Sequence, residues 1–270
     1  MKKPKVVIGI FVGLVLIVLT IVLLACTVFV VRHVEVEFEV SSNLLNEESI
    51  LDASGLSVGS SIISIDKSEV KASVEKENPY VEVTNISREF PNKVIIKVTV
   101  RRGILLVRSE DGGSAAVIDA KMKVLDVIPY SESMKSDVTA VEGVTFVVPQ
   151  EGVLSLVGSE ISFANPVCGA MLSQITTAAS DPKLMLSGNR FLTFIKEISF
   201  TTEEGSCKAF VKTKRGVTLV LDTALDSTVF TQLYMCLYYM YAEGVSVDVT
   251  SGFIYWDPTP GAYRWATTLD

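Results

Sequence analysis

Residues 6–31 make 26 consecutive positions without a charged side chain, directly behind Met1-Lys2-Lys3-Pro4-Lys5. At about 1.5 Å of rise per residue such a run forms a helix of roughly 39 Å, longer than a hydrocarbon layer of about 30 Å. The pattern predicts one transmembrane helix, tilted in the bilayer. Lys2, Lys3 and Lys5 precede it, and Arg32 and His33 give way to Glu35, Glu37 and Glu39 behind it. Positive charge stays in the cytoplasm, so residues 1–5 read as a cytoplasmic tail and residues 32–270 as extracytoplasmic. A cleaved signal peptide has an apolar core of about 7–15 residues and a small-x-small cleavage site. This run is longer, and the lipobox-like Leu23-Leu24-Ala25-Cys26 leads into Val28, Phe29 and Val30 rather than a polar tether. An uncleaved anchor is the better reading.

Beyond the anchor the period changes. Val34, Val36, Phe38 and Val40 alternate with His33, Glu35, Glu37 and Glu39, which predicts a half-buried strand. Residues 46–56 read as a short helix stopped by Gly55. A second helix starts at Asp66, with Glu69 completing a capping box, and stops at Asn78-Pro79. An extended stretch over 80–90 loses its register after Val83, as a bulge would cause. After Pro91-Asn92, residues 93–101 alternate cleanly, with Val94, Ile96, Val98 and Val100 on one face. Strand, helix, helix, strand, strand within about 70 residues is one small α+β domain.

Farther on, residues 130–190 resist assignment, apart from a short helix opening at Asp181-Pro182. Phe194, Ile195, Ile198 and Phe200 suit a strand, and residues 209–221 a hairpin turning at Lys214-Arg215-Gly216. Residues 222–243 read as a helix with Phe230, Leu233, Tyr234, Leu237 and Tyr241 on one face, closed by Gly244. Val245 to Val249 and then Phe253 to Trp256 are extended.

The 239 residues outside the anchor and tail carry 21 basic and 31 acidic side chains, a net charge of −10. Such a surface repels nucleic acid. Cys168, Cys207 and Cys236 lie outside the anchor without CxxC spacing, so a disulfide framework is not expected, though one pair stays open.

The segments Gly55-Leu56-Ser57-Val58-Gly59, Asn78-Pro79-Tyr80-Val81 and Arg88-Glu89-Phe90-Pro91-Asn92-Lys93-Val94-Ile95-Ile96, set in that element order behind an anchor, resemble the POTRA domain of the FtsQ/DivIB family of bacterial cell-division proteins. The family's usual Glu-Arg-x-Pro ending is replaced by Arg101-Arg102-Gly103-Ile104. Farther along, Val117-Ile118-Asp119 with Lys123-Val124-Leu125 is similar to the family's val-ile-asp … gly-x-val-leu, without the glycine. Hairpin, helix, then Val247-Asp248-Val249 before an aromatic strand is similar to the end of the family's β-domain. The resemblance implies an α+β fold: a transmembrane helix over 6–31, a POTRA-like βααββ domain over 32–102, a mixed β-sheet domain with short helices over 103–256, and a tail over 257–270. It further implies a non-enzymatic divisome scaffold in a bacterial cell membrane at the septum, with the POTRA-like domain against the membrane. Its partners would be the membrane-anchored FtsB/DivIC-like and FtsL-like division proteins, gripped by strand addition at Val245, Val247, Asp248, Val249, Phe253, Tyr255 and Trp256.

No catalytic, cofactor or metal site is expected. Gly55-Leu56-Ser57-Val58-Gly59 matches a hydrolase elbow, but the sole histidine, His33, sits at the membrane junction. Ser64-Ile65-Asp66-Lys67 matches S-x-x-K, yet S-D-N is absent and Lys212-Thr213-Lys214 misses K-T-G. Neither HExxH nor an Asp-rich loop occurs. Two rival classes are a POTRA-bearing polypeptide-transport factor, for which further POTRA repeats are lacking, and an extracytoplasmic serine cell-wall enzyme.

Overall fold

A computed structural model describes residues 4–40, 45–130, 138–186, 189–203, 205–241 and 251–269. The chain divides into two units, Met1–Arg101 and Arg102–Asp270.

Helix α1 spans Pro4–Thr27. It ends short of the expected boundary at residue 31, because residues 28–31 are claimed by the domain behind them. Val31 is fully buried, its N–H donates to Ser60 O and its carbonyl accepts from Gly59 N, both at 2.8 Å. Side chains from Phe11 to Leu23 are apolar save Thr20, and most are exposed. Among the described residues no helix is long and apolar enough to cross a membrane. The expected span over 6–31 is thus corrected at its C-terminal end, and a membrane crossing rests on the uncharged sequence alone.

Then follow β1 (His33–Phe38), α2 (Glu47–Ser54), α3 (Lys67–Glu77), β2 (Val81–Glu89) and β3 (Lys93–Val100). The sheet order is β1-β3-β2, with β1 parallel and β2 antiparallel to the central strand. Asn46 caps α2 through Glu48 N and Ser49 N, and Gly55 closes it at φ +63°. Asp66 caps α3 through Ser68 N and Glu69 N, and these two hydrogen bonds hold its carboxyl below the usual range. The register of β2 shifts between Val83 and Asn85. This bulge lets Val81, Val83 and Ile86 all turn inward, where strict alternation would expel Ile86. They pack with Ile50, Ile62, Val70, Val74, Val94, Ile96 and Val98.

A buried ion pair lies inside this unit. Arg101 Nη2 donates to Glu75 Oε2 at 2.8 Å, Arg101 Nε donates to Val81 O at 3.1 Å, and Val83 N donates to Glu75 Oε1 at 3.0 Å. Both side chains are under a tenth exposed, so the pair clamps α3 to the start of β2 with its charges balanced.

The second unit holds β4 (Leu105–Ser109), β5 (Ser114–Ile118), β6 (Val124–Pro129), β7 (Thr139–Phe146), α4 (Pro166–Ser180), β8 (Met185–Leu186), β9 (Asn189–Arg190), β10 (Ile195–Glu203), β11 (Ser206–Thr213), β12 (Thr218–Asp222), α5 (Val229–Tyr241), β13 (Phe253–Asp257) and β14 (Ala262–Ala266). Nine strands form a mixed sheet in the order β14-β13-β12-β11-β10-β7-β4-β5-β6. Of its parallel neighbours, β7/β10 and β12/β13 are separated in sequence by α4 and α5, and β4/β7 by the β5–β6 hairpin, the long connections that parallel pairing requires. Cys168 on α4 and Cys207 on β11 form a disulfide with Cα atoms 5.8 Å apart.

Several expectations are corrected here. The helix expected from Asp181 lies before it, as α4, with Asn165 capping and Pro166 in the first turn. The helix expected from residue 222 begins at Val229, because buried Gln232 binds Asp222 N, Asp222 O and Ser227 O and so holds residues 222–228 as a turn. Its inward face is Val229, Leu233, Cys236 and Leu237, while Tyr234 and Tyr238 stack outside with centroids 6.4 Å apart. Residues 262–266, expected in a tail, form β14. Met122, standing where the family's glycine was missing, adopts φ +63°.

Replacing Glu75 by Ala removes the nearer carboxylate from buried Arg101, Glu82 standing at 4.0 Å, and should cost about 3 kcal/mol in urea unfolding. A Lys97→Ala variant, which loses a half-exposed pair with Glu37, should stay within about 1 kcal/mol. Reducing the Cys168–Cys207 bridge, or replacing both cysteines by Ala, should lower the second unit's stability by about 2–4 kcal/mol in thermal melts.

Candidate partner-binding edge

Strand β13 brings together three of the residues expected to bind a partner, and it is not an edge. Phe253 and Ile254 pair with Thr218 and Leu219 of β12, and residues 253–257 pair antiparallel with β14. Alternation splits the aromatic set between two faces. Buried Ile254 and half-buried Trp256 lie on the helix-covered face, with Trp265 and Tyr263 opposite them. The Trp256 and Tyr263 rings meet edge to face at 5.4 Å. Phe253 and Tyr255 point to the other face, beside Arg264. Val245, Val247, Asp248 and Val249 lie outside the described residues.

The sheet's last strand is therefore β14, a signal the sequence reading missed although Tyr263-Arg264-Trp265 alternates. Two devices hold it. Gly252, at φ +98°, permits a close approach, since a Cβ there would meet Ala266 O and Trp265 Nε1 at 2.6 Å. Trp265 Nε1 donates to Ser251 O at 3.0 Å. Among the described residues nothing pairs with the outer side of β14. The opposite edge, β6, is blunted: Gly158 N donates to Val124 O, Val124 N donates to Ser159 O, and Pro129 ends the strand. Among the described residues, β14 is the edge whose outer side carries no pairing.

The serine motifs do not assemble chemistry. Ser57 lies in a turn after α2, its carbonyl accepting from Ser60, rather than in a strand-to-helix elbow. Ser64 donates to Ser61 O and sits before the Asp66 cap, outside the helical turn that holds Lys67. Among the described residues no three His, Cys, Asp or Glu side chains cluster to hold a metal ion.

Burial pushes the Tyr263 hydroxyl up to about 12, with the nearby Cys236 adding to the shift. Burial also raises the Cys236 thiol.

A strand–helix–helix–strand–strand domain whose first strand joins the third in parallel defines a POTRA-bearing chain, and residues 30–101 match the family described as POTRA domain, FtsQ-type. Two curated relatives share this likeness, both named cell division protein FtsQ. The Streptomyces venezuelae protein is 28% identical over 79 residues, covering 29% of this chain and 28% of that protein. The Streptomyces collinus protein is 25% identical over 100 residues, covering 34% of this chain and 38% of that protein. The chain thus spans well under half the length of the curated relatives it matches. What the match shows is an FtsQ-type POTRA domain over residues 30–101.

Because the Tyr263 phenol titrates higher folded than unfolded, its contribution to stability is complete below pH 10, the ordinary tyrosine value, and is lost between there and about pH 12. Alkaline titration followed by phenolate absorbance should show Tyr263→Phe removing a step at the upper end of that window.

Proposed function

We propose that this protein is a non-enzymatic division scaffold of the FtsQ/DivIB type. Residues 6–27 anchor it in a bacterial cell membrane, its amino terminus is cytoplasmic, and it gathers at the septum. The observation that carries this reading is the FtsQ-type POTRA domain over residues 30–101, set directly behind a helix uncharged from Val6 onward. Relatives named for cell division support the role.

The family resemblance makes the partners FtsB/DivIC-like and FtsL-like proteins, which are membrane-anchored coiled coils. The edge geometry favours strand addition along β14 rather than along β13, which is already paired on both sides. Main-chain bonds to Ala262–Ala266 would give affinity, and Tyr255 with Arg264 on one face and Trp256 with Tyr263 on the other would give specificity. The net charge of −10 outside the tail disfavours nucleic acid as an alternative partner.

An Ala262→Pro, Arg264→Glu double variant should reduce co-purification of those two partners about tenfold, one lost strand contact being worth roughly 1.4 kcal/mol, with the thermal midpoint preserved. Unchanged co-purification removes strand addition at β14. A fluorescent fusion of the intact chain should concentrate at midcell, and an even distribution around the cell would overturn the division role.

A further inference from the structure

The end of the POTRA domain nearest α1 carries exposed apolar side chains. Val58 is 75% exposed, Phe90 60%, Ile63 53% and Val28 37%. They come from separate stretches of sequence, and single exposed apolar residues are ordinary on protein surfaces. Here they converge, because each adjoins a residue bonded to the segment that leaves α1.

Val58 precedes Gly59, whose N–H donates to Val31 O at 2.8 Å. Ile63 follows Ile62, whose N–H donates to Phe29 O at 3.0 Å. The Phe90 ring stands edge to face with Phe29 at 5.8 Å, and two residues on, Asn92 O accepts from Arg32 N at 2.8 Å. A further bridge joins Val30 to Ser61. With about 3.3–3.6 Å of reach per residue, Val31 lies within roughly 15 Å of the Thr27 helix end. Both loops are therefore fixed close to where α1 stops.

We propose that Val28, Val58, Ile63 and Phe90 form a collar that lies in the interfacial layer of the bilayer on the extracytoplasmic side. This rests on the anchor reading above. The choice of lipid over a protein partner follows from continuity. The collar follows the exposed apolar surface that α1 presents from Phe11 to Leu23 with no charged residue between them, and the hydroxyl of the intervening Thr27 is turned back onto Leu23 O at 2.7 Å. The headgroup layer on each side of the hydrocarbon is about 5–8 Å deep, shallow enough for loop tips rather than whole elements to enter. Arg32 sits at the same level, its Nη2 donating to Thr27 O at 3.5 Å, and its charge suits the phosphate plane. Docked this way, the domain is held at the membrane by its loops as well as by its covalent tether, which fixes its orientation about α1.

The test uses the full chain in nanodiscs of phosphatidylethanolamine and phosphatidylglycerol. Single free cysteines are placed by Val58→Cys, Ile63→Cys and Phe90→Cys in a Cys26→Ser, Cys236→Ala background that keeps the Cys168–Cys207 disulfide, and labelled with an environment-sensitive fluorophore. Glu77→Cys, at the far end of α3, and Ile17→Cys, within α1, serve as references. The collar probes should emit to the blue of the Glu77 probe and lose most of their emission to a lipid nitroxide placed near the glycerol backbone, while the Glu77 probe loses none. The Ile17 probe should respond to a nitroxide near the chain ends. Collar probes that respond only to an aqueous quencher, with Ile17 quenched by lipid, overturn the collar and leave the anchor standing. An Ile17 probe untouched by either lipid nitroxide overturns the anchor reading and the collar with it.

Discussion

The first unit is organised by a short backbone zipper. Residues 29–33 hydrogen-bond to Ser60, Gly59, Ile62 and Asn92, and Val31 enters the core with no exposed surface. A flexible linker behind α1 would let the POTRA domain diffuse around its tether. The zipper leaves no such linker. Because buried backbone groups must be paired, withdrawing Val31 from the domain would strand several donors and acceptors at once. The same contacts deliver β1 to its place beside β3, where Glu35 and Glu37 meet Lys93 and Lys97 across the parallel register at 2.7 and 2.8 Å. Those exposed pairs set register more than stability.

The second unit solves a different problem. The sheet, nine strands among the described residues with parallel junctions at β4/β7, β7/β10 and β12/β13, must cover at least one face, and helices α4 and α5 do so around Phe146 and Phe191, both fully buried. The disulfide ties α4 to β11 across that layer. What the helices leave exposed is the sheet's margin. One margin is closed by the segment around residues 158–161 and by Pro129; the other, β14, keeps its outer backbone groups unpaired among the described residues. A long open edge is an aggregation hazard unless something habitually adds to it, which is why this margin carries the functional reading.

Substitutions relative to the family pattern make physical sense on this framework. Where Glu-Arg-x-Pro was expected, Arg101 closes the POTRA core onto Glu75, and Gly103 passes so near Val117 that a Cβ would meet its Cγ1. At the missing glycine Met122 accepts a left-handed backbone while its side chain, 8% exposed, joins the core. The strain of that conformation, about 1–2 kcal/mol, is offset by burial of a side chain that glycine lacks.

Legibility in the sequence followed the range of the interactions. The POTRA elements were readable because local rules set them: period-two alternation in β1 and β3, Asn46 and Asp66 as caps, Gly55 as a stop, and even the slipped register after Val83. Nothing local revealed α4, whose burial of Cys168, Met171, Leu172 and Ile175 exists only against the sheet, nor the Gln232 side chain that delays α5 by a turn of chain. The last strand of the sheet was misplaced for the same reason. Hydrophobic and aromatic pattern identifies a strand, but whether a strand is central or marginal depends on which distant segments pair with it. By itself the sequence determined the uncharged run and the βααββ domain behind it, since both rest on contacts within a few dozen residues. Only the tertiary structure decided where the domain takes hold of the helix end, which cysteines pair and which strand stands last in the sheet, because those depend on side chains and backbone groups brought together from far apart along the chain.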